Sequence, residues 1–105
     1  MANCENFTIF IRNDTGVEIR ATKFEYTDGT RSKNENIFFA GSDTFDPGET
    51  KDYTRNLQGI GGEDTRFTVT YQHRSGNNNW GTNRVETTGE FECGDNRSRT
   101  IVLTN

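Results

Sequence analysis

Side chains that favour β-strands recur at every second position along most of this chain. Phe7, Ile9 and Ile11 form one such series, and Phe67 with Val69 belongs to another in which threonines fill the intervening positions. Successive side chains of a strand point to opposite faces of a sheet, so this spacing predicts strands with one buried face. Apolar residues spaced three and four apart, which would indicate amphipathic helices, are nearly absent. The chain is therefore predicted to be all-β.

Turn-forming residues separate the predicted strands. Residues 13–16 (Asn-Asp-Thr-Gly) follow the first strand, and residues 46–49 (Asp-Pro-Gly-Glu) mark a second tight turn. The first two strands are expected to form a hairpin across residues 13–16, and residues 27–30 are expected to close it. The apolar alternation changes parity between Ala21 and Phe24, which predicts a β-bulge at residues 22–23.

About seven short strands at near-regular spacing predict a single antiparallel β-sandwich that occupies residues 1–105. Hydrophobic residues make up only 29% of the chain, but eight phenylalanines supply large side chains for a thin core. We find no internal repeat and no linker, so one domain is expected. The alternation places ten side chains in the core: Phe7, Ile9, Ile11, Val17, Ile19, Phe67, Val69, Tyr71, Phe91 and Ile101.

The charge pattern argues against nucleic acid as a partner. The net charge is −4, and 12 Lys and Arg residues are scattered among 16 Asp and Glu residues, whereas binding to phosphate backbones needs clustered cations. No apolar run approaches the roughly 20 residues of a membrane span. The first residues, Met-Ala-Asn-Cys-Glu-Asn, also lack the basic and apolar regions of a signal peptide. The sequence therefore predicts a cytoplasmic protein, with secretion without a classical signal peptide as the alternative.

The chain contains two cysteines, Cys4 and Cys93. Two are too few for a disulfide scaffold, and they are too isolated in sequence to form a zinc site. Cys4 precedes the first predicted strand and Cys93 ends a late one. A disulfide between them and a pair of reduced thiols are both compatible with these positions.

Residues suited to catalysis or metal binding are sparse. His73 is the only histidine, and it continues the inward alternation of Val69 and Tyr71, which predicts a position near the end of the core. No nucleophile elbow of the Gly-x-Ser-x-Gly type occurs. Four acidic residues within positions 43–52 lack the spacing of a calcium loop, and the glycine-rich residues 59–62 precede a strand rather than a phosphate-binding helix. We therefore expect no enzymatic activity, no cofactor and no metal.

The only tryptophan, Trp80, lies in a polar segment, residues 75–83, between two predicted strands. An indole ring can stack on a sugar while neighbouring amides bind its hydroxyls, and it also suits a membrane interface. The alternative is that Trp80 folds back over the end of the sandwich. If the segment binds a ligand, the residues expected to contact it are Trp80, Asn77, Asn78, Asn79 and Asn83.

The order of several segments resembles that of the aegerolysins. These segments are residues 9–13 (Ile-Phe-Ile-Arg-Asn) with Thr15-Gly16, residues 46–49 (Asp-Pro-Gly-Glu), and Arg55-Asn56 ahead of residues 61–67 (Gly-Gly-Glu-Asp-Thr-Arg-Phe). Aegerolysins are small acidic β-sandwich proteins of fungi and bacteria that recognise membrane lipids and can recruit a pore-forming partner. The resemblance implies the same fold, a lipid ligand at a membrane and a protein partner. The tryptophan-rich region of that family corresponds here to Trp80 alone.

The function that these patterns predict is recognition of a membrane-surface ligand, either a lipid head group or a membrane glycan. Loops at one end of the sandwich are expected to carry it, and the long polar ones are residues 27–35, 58–65 and 75–83. Lipid binding would need exposed apolar groups, for which Phe10 and one of Phe38 or Phe39 are candidates. The alternatives are a lectin-like soluble carbohydrate-binding protein and a structural domain that binds another protein or a second copy of itself.

Overall fold

Ten β-strands make up the described part of the chain. The computed structural model describes residues 4–27, 32–34, 37–38, 41–57, 64–77 and 79–104. The strands are β1 (Cys4–Asn13), β2 (Ile19–Thr27), β3 (Ser32–Asn34), β4 (Asp43–Phe45), β5 (Thr50–Leu57), β6 (Asp64–Gly76), β7 (Asn79–Trp80), β8 (Arg84–Thr87), β9 (Phe91–Glu92) and β10 (Ser98–Leu103). None of these residues forms an α-helix, and in particular none forms a helix that could span a membrane. The predicted all-β fold is confirmed.

The strands form two sheets. The smaller sheet has the order β10-β1-β5, with β1 at its centre. The larger sheet is built on the long pair β2 and β6; β3 and β4 extend it from β2, and β7, β8 and β9 extend it from β6. The described strand pairs are antiparallel except β1 with β10, which run parallel from Thr8 opposite Ser98 to Asn13 opposite Leu103. This arrangement agrees with the predicted sandwich.

The chain changes sheets at Asn13, the last residue of β1. The Asn13 side chain is fully buried, and its Nδ2 donates to the carbonyl oxygens of Val17 at 2.7 Å and Phe45 at 3.1 Å. Its Oδ1 accepts a hydrogen bond from the backbone N–H of Thr15 at 3.0 Å. These bonds build a corner, so β1 and β2 lie in different sheets. The predicted hairpin between the first two strands is therefore wrong, and residues 28–30 of its closing turn lie outside the described residues.

The corner also explains the one error in the predicted core. Val17 is 40% exposed, because it lies in the corner between β1 and β2 rather than on a strand that faces the core. Phe91 is partly buried and packs against the core. The other eight predicted residues are buried, and the prediction is confirmed for them: Phe7, Ile9, Ile11, Ile19, Phe67, Val69, Tyr71 and Ile101.

A β-bulge keeps both halves of β2 facing the core. The register of β2 with β6 shifts between Ala21 and Lys23, which leaves Thr22 as the extra residue. Ala21 before the bulge and Phe24 after it are consequently both buried. The predicted bulge is confirmed.

Aromatic rings fill the space between the sheets. The ring centroid of Phe67 lies 5.5 Å from that of Phe7 in the opposite sheet, 5.0 Å from that of Phe24 and 4.8 Å from that of Phe91, each in an edge-on arrangement. Such pairs are more favourable than their buried area alone indicates. A chain with few aliphatic residues thereby obtains a closed core.

Cys4 and Cys93 form a disulfide, which decides between the two alternatives for these residues. Both are completely buried, and the Cys4 Sγ atom lies 3.4 Å from the carbonyl oxygen of Gly94. The bond joins the start of β1 to the segment that leads into β10, across a sequence separation of 89. β1 is therefore fixed at both ends, by the disulfide and by the Asn13 corner.

Replacing both cysteines with alanine is expected to lower the free energy of unfolding by about 4 to 5 kcal/mol, because the unfolded chain regains the freedom of a long open loop. Equilibrium unfolding in urea, followed by circular dichroism, measures the change. Wild-type protein held in reductant is the matched sample. A loss below about 1 kcal/mol in both samples would show that the disulfide is not needed for this fold.

Candidate functional site

Trp80 lies on a short edge strand of the larger sheet. It belongs to β7 and stands opposite Arg74 of β6 in the antiparallel register. Opposite residues of paired strands share a face, and Arg74 points away from the core because Tyr71, three positions earlier, points into it. Trp80 is therefore on the outer face of the larger sheet, the side that points away from the core. It is partly buried there, and it does not belong to the core cluster of the described residues.

Two guanidinium groups lie over the indole ring of Trp80. The Cζ atom of Arg20 is 4.8 Å from the ring centroid, and the Cζ atom of Arg74 is 5.6 Å from it. Both distances are within the range of cation–π attraction. Arg20 reaches the ring from β2, across the intervening strand β6. Trp80 is therefore anchored to the sheet surface by charged side chains.

Hydrogen bonds hold both guanidinium groups in place. Arg20 donates from Nε at 3.1 Å and from Nη2 at 2.6 Å to Oε1 of Gln72, its neighbour across the β2–β6 pair. Arg74 forms an ion pair with Glu18, with 2.6 Å between Nη1 and Oε1, and its Nε donates to the carbonyl oxygen of Gly76 at 3.0 Å. We call the set of Glu18, Arg20, Gln72, Arg74 and Trp80 the Trp80 platform.

Three of the predicted asparagines lie close to Trp80 in sequence. Asn77 is in the turn between β6 and β7, Asn79 is in β7, and Asn83 is in the segment that leads to β8; all three are exposed. None of their side chains forms a hydrogen bond with another described residue. Asn78 lies outside the described residues. Asn77 and Asn79 thus closely precede Trp80 in sequence, and their side chains are exposed.

The sequence prediction identified Trp80 but missed the charged residues around it. Arg20 sits between Ile19 and Ala21, so its alternation alone places it on the outer face. The alternation along β6 places Gln72 and Arg74 on the outer face in the same way. What the alternation does not contain is the register between β2 and β6, which depends on the bulge at Thr22.

The other residues considered for catalysis or metal binding do not come together in one site within the described part of the chain. His73 lies on the inner face near the end of β6, as predicted, and its Nε2 atom is buried without a hydrogen-bond partner among the described residues. Burial lowers the pKa of His73, and the positive charge of Arg84 lowers it further. Asp43 binds Lys51 at 2.9 Å and the Tyr53 hydroxyl at 2.7 Å. The described residues contain no cluster of three or more metal-ligating side chains.

The described apolar residues that were expected to support lipid insertion do not lie on the same surface as Trp80. Phe38 is buried in the core, and Phe10 lies on the outer face of the smaller sheet, partly buried. Phe39 lies outside the described residues. Val85 of β8 is exposed on the larger sheet, opposite Thr70. Among the described residues, the large aliphatic side chains exposed on the larger sheet or at its corner are Val85 and Val17, which precedes Glu18.

Comparison of the chain with protein-family models, with curated protein sequences and with solved structures gave no match. The resemblance to the aegerolysins stays a prediction.

The position of Trp80 predicts a small energetic role in folding. Replacing Trp80 with alanine is expected to cost about 1 kcal/mol of stability, because the ring packs on guanidinium groups at the surface. Replacing Phe67, at the centre of the aromatic core, should cost about 3 to 5 kcal/mol in the same assay. Thermal melts of the two variants measure this difference.

Iodide quenching of the sole tryptophan reports its accessibility directly, and we expect efficient quenching in the folded protein. A blue-shifted emission that iodide does not quench, together with a loss in the Trp80→Ala melt as large as that of Phe67→Ala, would place the ring in the core.

Proposed function

We propose that this chain is a non-catalytic recognition domain that binds a carbohydrate on the outer face of its larger sheet, with the Trp80 platform at the centre of the site. The main observation behind the proposal is that the indole ring of Trp80 lies on the protein surface and is held there by two guanidinium groups. Hydrogen bonds in turn hold both of these groups, which belong to Arg20 and Arg74, in place. Rigid aromatic surfaces bind well because little conformational freedom is lost when a ligand packs on them. The apolar faces of sugar rings suit the accessible part of such a surface.

Polar groups around the indole support a sugar as the ligand. Gln72 offers the N–H groups of its amide, and Arg20 and Arg74 offer N–H groups that the internal hydrogen bonds leave unused. Sugar hydroxyls both donate and accept hydrogen bonds, and carbohydrate sites combine such directional groups with an apolar surface. A membrane glycan and a soluble glycan satisfy this chemistry equally.

The surroundings of Trp80 favour a glycan over insertion into a lipid bilayer. Insertion needs a contiguous apolar surface, and Val85 is the one large aliphatic side chain exposed on the described part of the larger sheet. Arg20 and Arg74 also surround the indole with charge. Recognition of a head group without insertion remains the nearest rival, and the experiment below separates the two.

Glycan-array binding and liposome flotation, performed side by side on labelled protein, test the proposed function. We expect glycan binding by the wild type, a reduction of at least about tenfold, or about 1.4 kcal/mol, in Trp80→Ala, and little change in the matched surface variant Val85→Ala. Flotation with phosphatidylcholine and sphingomyelin liposomes is expected to recover no protein.

Two results would contradict the proposal. Flotation with liposomes in the absence of array binding would assign the platform to a lipid head group. If the protein binds neither glycans nor liposomes, a structural or protein-interaction role would be favoured instead.

The disulfide bears on where the domain acts. We propose an oxidising environment outside the cytosol, because buried disulfides of small domains form and persist there, whereas cytosolic thiols are kept reduced. The cytoplasmic location expected from the amino terminus does not account for the Cys4–Cys93 bond.

Alkylation during lysis of the native source in denaturant, which exposes the buried cysteines, followed by mass spectrometry, tests the proposed compartment. We expect Cys4 and Cys93 to stay unmodified unless reductant is added first. Alkylation of both cysteines without added reductant would place the protein in a reducing compartment.

A further inference from the structure

We infer that the glycan recognised by the Trp80 platform is acidic, and that Arg20 binds its carboxylate. The ligand class is a sugar with a carboxyl group, such as a uronic acid or a sialic acid. This inference rests on the proposed function, because it names the kind of carbohydrate that the same site accepts.

Arg20 is a cation that has no anionic partner among the residues that the structure describes. Its neighbour Arg74 is neutralised by Glu18 at 2.6 Å, whereas Arg20 bonds only to the neutral amide of Gln72 within the described residues. The platform therefore has one net positive charge, on a chain whose overall net charge is −4. An anionic ligand complements this local charge, and a neutral ligand does not use it.

The donors of Arg20 that remain available suit a carboxylate. Gln72 occupies Nε and one N–H of Nη2, so the end of the guanidinium group, with Nη1 and the second N–H of Nη2, has no partner among the described residues. Two parallel N–H groups at that end match the two oxygens of a carboxylate in a bidentate pair. The site thus offers the geometry that distinguishes a carboxylate from a hydroxyl.

Arg20 is also held in position before the ligand arrives. Gln72 fixes one edge of the guanidinium group, and the indole of Trp80 lies 4.8 Å from its Cζ atom. An arginine that is already ordered loses little side-chain entropy when it pairs with an anion. A sugar ring beside Trp80 can consequently place its carboxyl group on Arg20 without rearranging the sheet.

The test compares acidic and neutral forms of the same sugar. The probes are a galacturonic acid hexamer against its methyl ester, and sialyllactose against lactose, titrated while the fluorescence of Trp80 is followed at low ionic strength. For at least one pair we expect the acidic form to bind about tenfold more tightly than the neutral form. Added salt should reduce this preference.

Two isosteric variants change the charge in opposite directions. Gln72→Glu places a carboxylate beside Arg20, so the preference for the acidic form should fall to about unity while binding of the neutral form persists. Glu18→Gln removes the internal partner of Arg74, so the preference should increase. The matched control is Arg99→Gln, which removes a cation of β10 that lies over Phe91 and belongs to the smaller sheet.

Several outcomes overturn the inference while leaving the proposed function intact. They are equal binding of acidic and neutral forms in both pairs, an unchanged preference in Gln72→Glu, and an equal loss of preference in Arg99→Gln. Displacement of the acidic sugar by phosphatidylserine vesicles would assign Arg20 to a membrane phosphate or carboxylate. If no sugar on the array binds, the proposed function itself is wrong, and the inference that rests on it is wrong as well.

Discussion

The buried amide of Asn13 is the interaction on which the placement of the two sheets depends. Its Nδ2 atom donates to the carbonyl oxygens of Val17 and Phe45, and so holds together the end of β1, the corner that precedes β2 and the end of β4. A buried carbonyl without a donor is costly, so an apolar residue in this position would leave the corner unsatisfied. Because the chain turns here, β2 begins in the larger sheet and brings Glu18 and Arg20 beside β6.

A second fixed point lies at the other end of β1. The disulfide between Cys4 and Cys93 ties the beginning of that strand to the approach of β10, which then runs parallel to β1. β1 is the central strand of the smaller sheet, so fixing it at both ends fixes the whole sheet. These two constraints compensate for the low hydrophobic content of the chain. Only 29% of its residues are hydrophobic, so burial alone provides little stability.

Period-two alternation predicts which side of a strand is buried, and it did so correctly for Phe67, Val69 and Tyr71. The change of parity after Ala21 likewise located the bulge. Alternation does not contain the identity of the partner strand, because pairing joins residues far apart in sequence. The parallel pairing of β1 with β10 and the exposure of Val17 in the corner both depend on such distant contacts.

The same limit applies to the candidate site. Trp80 stands out in the sequence as a single aromatic residue among polar ones, and composition is sufficient to find it. Its partners Arg20 and Arg74 are separated by more than fifty positions and meet only because β2 and β6 pair in one particular register. A one-residue slip of that register would turn Arg20 toward the core. The site is therefore a property of the sheet, whereas the sequence pointed to a loop.

The most direct test of this site is a nuclear magnetic resonance titration of ¹⁵N-labelled protein with the glycan that gives the strongest array signal. If the outer face of the larger sheet is the binding surface, the largest shifts will occur at the indole N–H of Trp80 and at the backbone amides of Arg20, Gln72 and Arg74. The amides of the smaller sheet will then remain unchanged. Shifts centred on Phe10 and its neighbours, with the Trp80 indole unaffected, would contradict the assignment.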